Sequence, residues 1–136
     1  MKFKIYTEYF FLILFFYFFK FIGLKCSSFL GGLILSFYGR FSRRNSIAKK
    51  NIKNALPRLS KKEINNIIRG MWFHFGRVLG EYPHLSSIRV LKNTKISIEN
   101  EEHLLKPLKE NKNCLFFSAH IGNWELTSHL LSEKNY

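Results

Sequence analysis

The sequence predicts an α/β fold preceded by an amino-terminal membrane helix. Three observations lead to this prediction. The chain opens with an apolar, strongly aromatic stretch over residues 5–38, and a long amphipathic helix pattern follows in residues 60–81. Near the end, a short apolar run is followed at once by a tight turn and a helix pattern, which is how an α/β unit begins.

The apolar opening is typical of a membrane helix. Residues 9–19 are eleven consecutive apolar residues, and an extension to residues 5–24 reaches the length of about 20 residues that a bilayer crossing needs. Lys20, near one end, can extend its amine to the lipid headgroups. A signal peptide is the alternative, because Lys2 and Lys4 precede the apolar run. No small-residue cleavage site follows promptly, however.

A second apolar segment, residues 26–38, is too short to span a bilayer and is better suited to lying in its interface. The two segments together predict a membrane anchor and interfacial segment over residues 1–39. Residues 40–136 are left for the folded domain. The excess of Lys and Arg after the anchor predicts a single-pass protein with this domain on the cytoplasmic side.

Basic residues are concentrated directly after the apolar segments. The formal net charge is +13, and no acidic residue occurs between Glu8 and Glu63. Anionic headgroups attract such Lys and Arg side chains by about 1 kcal/mol each. We therefore assign to the membrane surface Arg40, Arg43, Arg44, Lys49, Lys50 and Lys53. Nucleic acid is the alternative partner, but only one aromatic residue, Phe41, lies among these basic ones, too few for stacking on bases, so we expect no nucleic acid.

The folded part begins with a basic helix. Residues 43–55 form this predicted helix, and Pro57 ends it because the residue before a proline is biased away from helix. Ser60 and Glu63 then have the spacing of a capping box, in which a hydroxyl and a carboxylate satisfy backbone amides at a helix start.

The clearest periodicity in the chain follows this capping box. Apolar residues from Ile64 to Tyr82 recur at steps of three and one, which predicts an amphipathic helix that Pro83 stops. The stripe favours a helix packed on the domain or on the membrane surface over a cofactor-binding segment. His74 and His84 are predicted to be surface or boundary residues.

Two strands are predicted in the last third of the chain. Residues 94–98 alternate polar and apolar side chains, as a half-buried edge strand does. Residues 101–105 form a predicted short helix that Pro107 interrupts. Residues 113–119, N-C-L-F-F-S-A, suit a strand buried on both faces of a parallel sheet, and a helix beginning at Asn123 follows.

Cysteine usage predicts neither a metal site nor a disulfide framework. Cys26 and Cys114 lie far apart, with no partner spacing for zinc. We therefore expect no metal, and a reducing compartment fits this pattern.

His120 and Glu125 are the candidate catalytic residues. His120 is expected at the carboxyl end of the buried strand, where ligands of open α/β sheets bind. Gly122 lets the backbone turn sharply, and Asn123 is a natural N-cap. A carboxylate that holds one imidazole nitrogen leaves the other free to take a proton, so the nucleophile would be a hydroxyl of the substrate. The alternative is structural, with His120 in a turn and Glu125 at a helix start.

Residues 118–125, S-A-H-I-G-N-W-E, are the most specific part of a resemblance that covers nearly the whole chain. Together with the amino-terminal apolar segment and residues 43–57, 60–81 and 98–103, they resemble the bacterial lipid A biosynthesis acyltransferases. These are the late, lauroyl- and myristoyl-type enzymes within the lysophospholipid acyltransferase superfamily.

The resemblance implies transfer of a fatty acyl chain from acyl-acyl carrier protein to a hydroxyl of a lipid A precursor, in lipopolysaccharide biosynthesis at the bacterial inner membrane. By resemblance, His120 is the general base on that hydroxyl and Glu125 orients His120. Gly122 and Asn123 shape the turn and contribute to substrate binding. No cofactor is implied. The implied partners are membrane lipid, the lipid A precursor and acyl carrier protein.

Members of the resembled family continue well beyond the last helix, with more strands and the rest of the acyl pocket. We therefore expect an amino-terminal fragment, in which residues 40–136 hold only the first strands of an incomplete acyltransferase α/β domain. One or two strands cannot bury their faces or supply an oxyanion hole, so we expect the chain to be inactive alone. The alternative is a small membrane-anchored basic protein without catalysis.

Overall fold

The computed structural model describes residues 2–88, 98–110, 112–113, 115 and 117–128. The described residues form five α-helices and one 3-10 segment. In chain order these are α1 Lys2–Phe21, α2 Leu24–Gly39, α3 Asn45–Ala55, α4 Lys61–Glu81, the 3-10 segment Tyr82–Ser87, and α5 Glu102–Lys109. The chain divides into two compact units, Met1–His84 and Leu85–Tyr136.

The predicted α/β fold is wrong for the described part of the chain, which contains helices and no strand. Most of the predicted strand over residues 94–98 lies outside the described residues. In the predicted strand over residues 113–119, the described positions have no regular structure, and Leu115 and Phe117 are 80% and 89% exposed. A strand is held by backbone hydrogen bonds to a neighbouring strand. The described residues supply no such neighbour, so an apolar run by itself does not form a sheet.

The predicted membrane-spanning helix is also wrong. None of the helices among the described residues is sufficiently long and apolar to cross a bilayer. The apolar run does not continue to residue 24 as one helix, because α1 ends at Phe21 and the backbone turns at Gly23, where φ is 79°. Within the twenty residues of α1, four are charged: Lys2, Lys4, Glu8 and Lys20. The predicted single-pass placement in the inner membrane is corrected on the same ground.

The first unit is organised by the packing of α2 against α4. Gly31 and Gly32 of α2 face Gly76 and Gly80 of α4 at the crossing, and all four are buried. A Cβ atom added to Gly76 would overlap the carbonyl oxygen of Gly31, and one added to Gly31 would overlap that of Gly76. The two backbones therefore touch directly, an approach that requires residues without side chains.

One end of this helix pair is closed by Asn45, the first residue of α3. Its Nδ2 donates hydrogen bonds to the carbonyl oxygens of Gly39 (2.9 Å) and Arg40 (3.0 Å), at the end of α2. Its Oδ1 accepts a hydrogen bond from Nε1 of Trp72 in α4 (2.8 Å), and the Trp72 ring covers Gly39. Asn45 thus ties three helices together and satisfies two carbonyls that the end of a helix leaves without intrahelical partners.

The other end is closed by hydrogen bonds between polar groups, of which Ser28 and His84 are buried. Arg77 donates from Nε to Oγ of Ser28 (3.0 Å), and that hydroxyl donates to Oε1 of Glu81 (2.7 Å). His84 is buried, and its Nε2 donates to the carbonyl oxygen of Phe19 near the end of α1 (3.0 Å). The sequence pattern does not indicate this interior role of His84.

The structure confirms the predicted capping box and the helix after it. Oγ of Ser60 accepts a hydrogen bond from the backbone N–H of Glu63 (3.3 Å), and Oε2 of Glu63 accepts one from the backbone N–H of Ser60 (2.7 Å). From the apolar stripe of α4, Ile64, Ile68 and Val78 are buried. The regular α-helix ends at Glu81 and gives way to the 3-10 segment that contains the predicted helix stop, Pro83.

In the second unit, α5 differs from its prediction. The helix runs through Pro107 to Lys109, whereas the sequence predicted an interruption at Pro107. Pro107 is the sixth residue of this helix, so it removes the one hydrogen bond that its backbone would donate to the carbonyl oxygen of His103. The helix continues for two residues beyond it.

The glycine contact between α2 and α4 leads to a first prediction. Gly76→Ala should destabilise the chain by about 1–3 kcal/mol, because the added methyl group would overlap the backbone of α2. Gly70→Ala is the matched control in the same helix, where an added Cβ meets no atom within 4 Å. That change should stabilise α4 by about 0.5–1 kcal/mol. Urea unfolding followed by circular dichroism measures both, and equal effects would contradict the close approach.

The capping box leads to a second prediction, on pH. Hydrogen bonds from the Ser60 hydroxyl and then from the Ser60 backbone N–H lower the pKa of Glu63 below its ordinary value. Because the pKa is lower in the folded state, the stabilisation is fully present above the unfolded-state pKa and is lost as the pH falls through the folded-state pKa. The unfolding free energy should therefore fall more steeply below about pH 4.3 in the unmodified chain than in Glu63→Gln. Ser60→Ala removes the hydroxyl but keeps the backbone N–H, so its pH dependence should lie between those of the unmodified chain and Glu63→Gln, measured by urea unfolding at several pH values.

Candidate functional site

The predicted catalytic histidine lies in a tight turn of the second unit. The backbone N–H of Ile121 donates to the carbonyl oxygen of Ala119 (2.7 Å), so the chain bends at His120. Gly122 follows with φ 63°, in the left-handed region that glycine adopts at little cost. Both His120 and Gly122 are exposed. The turn therefore presents the imidazole to solvent, where a substrate hydroxyl can reach it.

A single helical turn over residues 125–128 follows this bend. The backbone N–H of Leu126 donates to the carbonyl oxygen of Asn123, and that of Thr127 to the carbonyl oxygen of Trp124, both at 3.1 Å. Asn123 thus stands at the start of the turn, and Glu125 is its first helical residue. The amide dipoles of a helix start favour a negative charge at this position.

The ring of His120 packs edge-to-face with the ring of Trp124. Their centroids are 4.6 Å apart and the ring planes meet at 78°. Such aromatic pairs contribute about 0.5–1.5 kcal/mol beyond their buried area. Trp124 is half-buried and therefore provides one wall against which the exposed imidazole rests. Sequence reasoning missed this role, although the signal was present in an aromatic residue four positions after the histidine.

A protein-family model matches nearly the whole chain. The model described as bacterial lipid A biosynthesis acyltransferase matches residues 1–135. The chain belongs to this family. A search of curated proteins and a search of solved structures each found no match. The family match includes both the turn at His120 and the basic segment of the first unit, and it confirms the resemblance seen in the sequence.

In this member of the lipid A biosynthesis acyltransferase family, His120 and Glu125 are five positions apart in the sequence. The ring of His120 contacts the ring of Trp124. Glu125 is half-buried. The catalytic roles of both residues stay predictions, as do the substrate-binding roles of Gly122 and Asn123.

The six basic residues predicted at a membrane surface lie in the first unit. Arg40 caps the carboxyl end of α2, Arg43 and Arg44 precede α3, and the three lysines lie on α3. All six are exposed, and within residues 2–88 no carboxylate forms an ion pair with any of them. The guanidinium of Arg40 stacks on the rings of Phe37 (4.7 Å) and Phe41 (5.8 Å). Their binding to a lipid surface stays a prediction.

The turn at Gly122 leads to a third prediction. An added Cβ at Gly122 meets no atom within 4 Å, so Gly122→Ala is opposed only by the left-handed backbone, at about 1–2 kcal/mol. The alanine variant should shift the turn and loosen the contact between His120 and Trp124. Nuclear magnetic resonance of the His120 ring protons should then move toward the spectrum of Trp124→Leu, which lacks the contact altogether. Gly122→Asn is the control, since asparagine tolerates this conformation, and an unchanged spectrum in Gly122→Ala would contradict the prediction.

Proposed function

We propose that this chain takes part in the transfer of a fatty acyl chain from acyl-acyl carrier protein to a hydroxyl of a lipid A precursor. The observation that carries the proposal is the exposed imidazole of His120, held in a glycine turn against Trp124, in a chain of the lipid A biosynthesis acyltransferase family. A general base needs a free ring nitrogen within reach of the proton that it removes. An exposed imidazole braced on one side meets that requirement.

In the proposed reaction, a nitrogen of His120 accepts the proton of the acceptor hydroxyl while the hydroxyl oxygen attacks the thioester carbonyl. The new carbon–oxygen bond forms, the carbon–sulfur bond breaks, and the departing thiolate takes the proton from the imidazolium. Glu125 accepts a hydrogen bond from the other ring nitrogen in the reaction complex and stabilises the imidazolium. Acyl-acyl carrier protein is a substrate in this reaction, and no resident cofactor or metal takes part.

Membrane lipid and the lipid A precursor are the proposed partners of the six basic residues. Both kinds of lipid carry anionic headgroups, which attract Lys and Arg. The aromatic side chains of α1 are exposed along most of the helix, including Phe10, Phe11 and Tyr17, and such apolar surface suits contact with a lipid interface. The same features also favour a second candidate function, a basic protein that adsorbs to lipid without catalysis. Nucleic acid is not among the proposed partners.

A fourth prediction tests the catalytic proposal. His120→Ala should lower kcat/KM for acyl transfer by about 10²- to 10⁴-fold, the usual contribution of a positioned base. His103→Ala is the matched control, because His103 is also exposed and also belongs to the second unit but lies in α5. It should leave the rate unchanged. Mass spectrometry of the acylated lipid A precursor measures the product, in the full chain and in the chain extended by the carboxyl-terminal segment of another family member.

Equal activity of His120→Ala and the unmodified protein would contradict the general-base role. If the extended chain also transfers no acyl chain, while the full chain still binds anionic vesicles, the second candidate function is the correct one. Glu125→Gln separates the role of the orienting carboxylate, since it should lower kcat while leaving the KM for the lipid nearly constant.

A further inference from the structure

A cavity of about 260 Å³ opens in the first unit where α2, α3 and α4 meet. Three of its lining residues are basic and come one from each region: Arg40 from the end of α2, Lys49 from α3 and Arg69 from α4. Ser36 and Asn65 add a hydroxyl and an amide. The family match and the candidate catalytic turn do not account for this convergence of charge.

No acidic residue is among the described residues that line the cavity. Neither is an ion pair recorded for Arg40, Lys49 or Arg69 within residues 2–88. Arg40, Lys49 and Arg69 are exposed, so solvent weakens their mutual repulsion, but three like charges around one small space still repel each other. An anion bound between them would turn this repulsion into attraction. The cavity therefore has the electrostatics of an anion site.

The wall of the cavity is held in place independently of any ligand. Asn45 bonds the carbonyl oxygens of Gly39 and Arg40 and accepts the indole N–H of Trp72, and both Asn45 and Trp72 line the cavity. Stacking of the Arg40 guanidinium on Phe37 restricts that side chain as well. A site built in advance loses less conformational entropy on binding than a mobile surface does.

We propose that this cavity binds the phosphate group of a phosphorylated ligand. The two guanidinium groups can each donate paired hydrogen bonds to phosphate oxygens, and the Lys49 ammonium adds a point charge. Its volume lies just under the range of about 300–1,000 Å³ typical of sites for drug-sized ligands, so it suits one headgroup rather than a whole lipid. The phosphate can belong to a lipid headgroup or be free phosphate.

This inference deepens the lipid contact proposed for the basic residues of the first unit, because it places one phosphate group in a defined cavity. It does not depend on the proposed acyl transfer, since no acyl group moves when the phosphate binds. Its rival is diffuse attraction between a basic surface and any anion. Lys49 and Lys53 distinguish the two explanations, since both are exposed lysines of α3 and only Lys49 lines the cavity. Diffuse attraction weakens equally when either charge is removed, whereas a site depends on Lys49.

Trp72 reports on the cavity directly, because it lines it. The chain has two tryptophans, Trp72 and Trp124, so Trp124→Phe leaves Trp72 as the sole source of tryptophan fluorescence. This full-length background is titrated with inorganic phosphate and, separately, with water-soluble dihexanoyl phosphatidic acid. Ionic strength is held constant with sodium chloride, because salt screens exposed charges. Circular dichroism checks that each variant keeps its helices.

The fifth prediction is a saturable change of Trp72 emission with at least one of the two ligands. Lys49→Gln and Arg69→Gln should each raise the Kd by about 10- to 100-fold, the value of a charge-assisted hydrogen bond. Lys53→Gln should raise it by less than about twofold, as expected for an exposed charge outside the site. Binding of phosphatidic acid alone identifies the ligand as a lipid headgroup, and similar binding of both identifies the phosphate group itself.

The proposal is overturned if neither ligand produces a saturable change, or if Lys49→Gln and Lys53→Gln weaken binding equally. Arg69→Lys provides a milder change in a different helix and should lie between Arg69→Gln and the unmodified chain, because lysine keeps the charge but not the paired donors. If the protein transfers acyl chains but does not bind phosphate, only this inference is wrong. If it binds phosphate but does not transfer acyl chains, only the proposed function is wrong.

Discussion

Direct contact between the backbones of α2 and α4 is the constraint on which the first unit depends. The contact at Gly31 and Gly76 brings the two helices close enough for Trp72 to cover Gly39 at one end of the pair. At the other end it lets Ser28 bridge Arg77 and Glu81. Side chains at the crossing would push the helices apart and separate both sets of groups. The basic cavity exists for the same reason, since its wall is built from residues of both helices.

The local features of this fold could be predicted from the sequence, and the features that depend on partners could not. The capping box at Ser60 and the end of the basic helix before Pro57 are decided within a few residues, and the structure contains both. The run over residues 113–119 has the composition of a strand, but a strand also needs a neighbour to bond. Apolar composition likewise predicted a spanning helix, and the backbone turn at Gly23 together with the charges within α1 made that prediction wrong.

The candidate site also combines a feature that the sequence indicated with one that it did not. The motif around His120 indicated the family, and the match over residues 1–135 confirmed it. The sequence also suggested Glu125 as the companion of His120, because the triad logic of hydrolases requires a carboxylate. The described structure shows the imidazole packed against the Trp124 ring, and the role of Glu125 stays a prediction. An aromatic wall limits how the imidazole can rotate without changing its charge, whereas a carboxylate acts mainly once the imidazole is protonated, so the two companions are compatible with one reaction.

The hydrogen bond between Ser28 and Glu81 affects how the end of α4 forms during folding. Glu81 is the last residue of α4, and a carboxylate there opposes the partial negative charge at the carboxyl end of a helix. The Ser28 hydroxyl, which donates to that carboxylate, comes from α2. The final turn of α4 therefore depends on its neighbour, because a chain in which α2 and α4 have not yet packed together has an electrostatic reason to unwind this end.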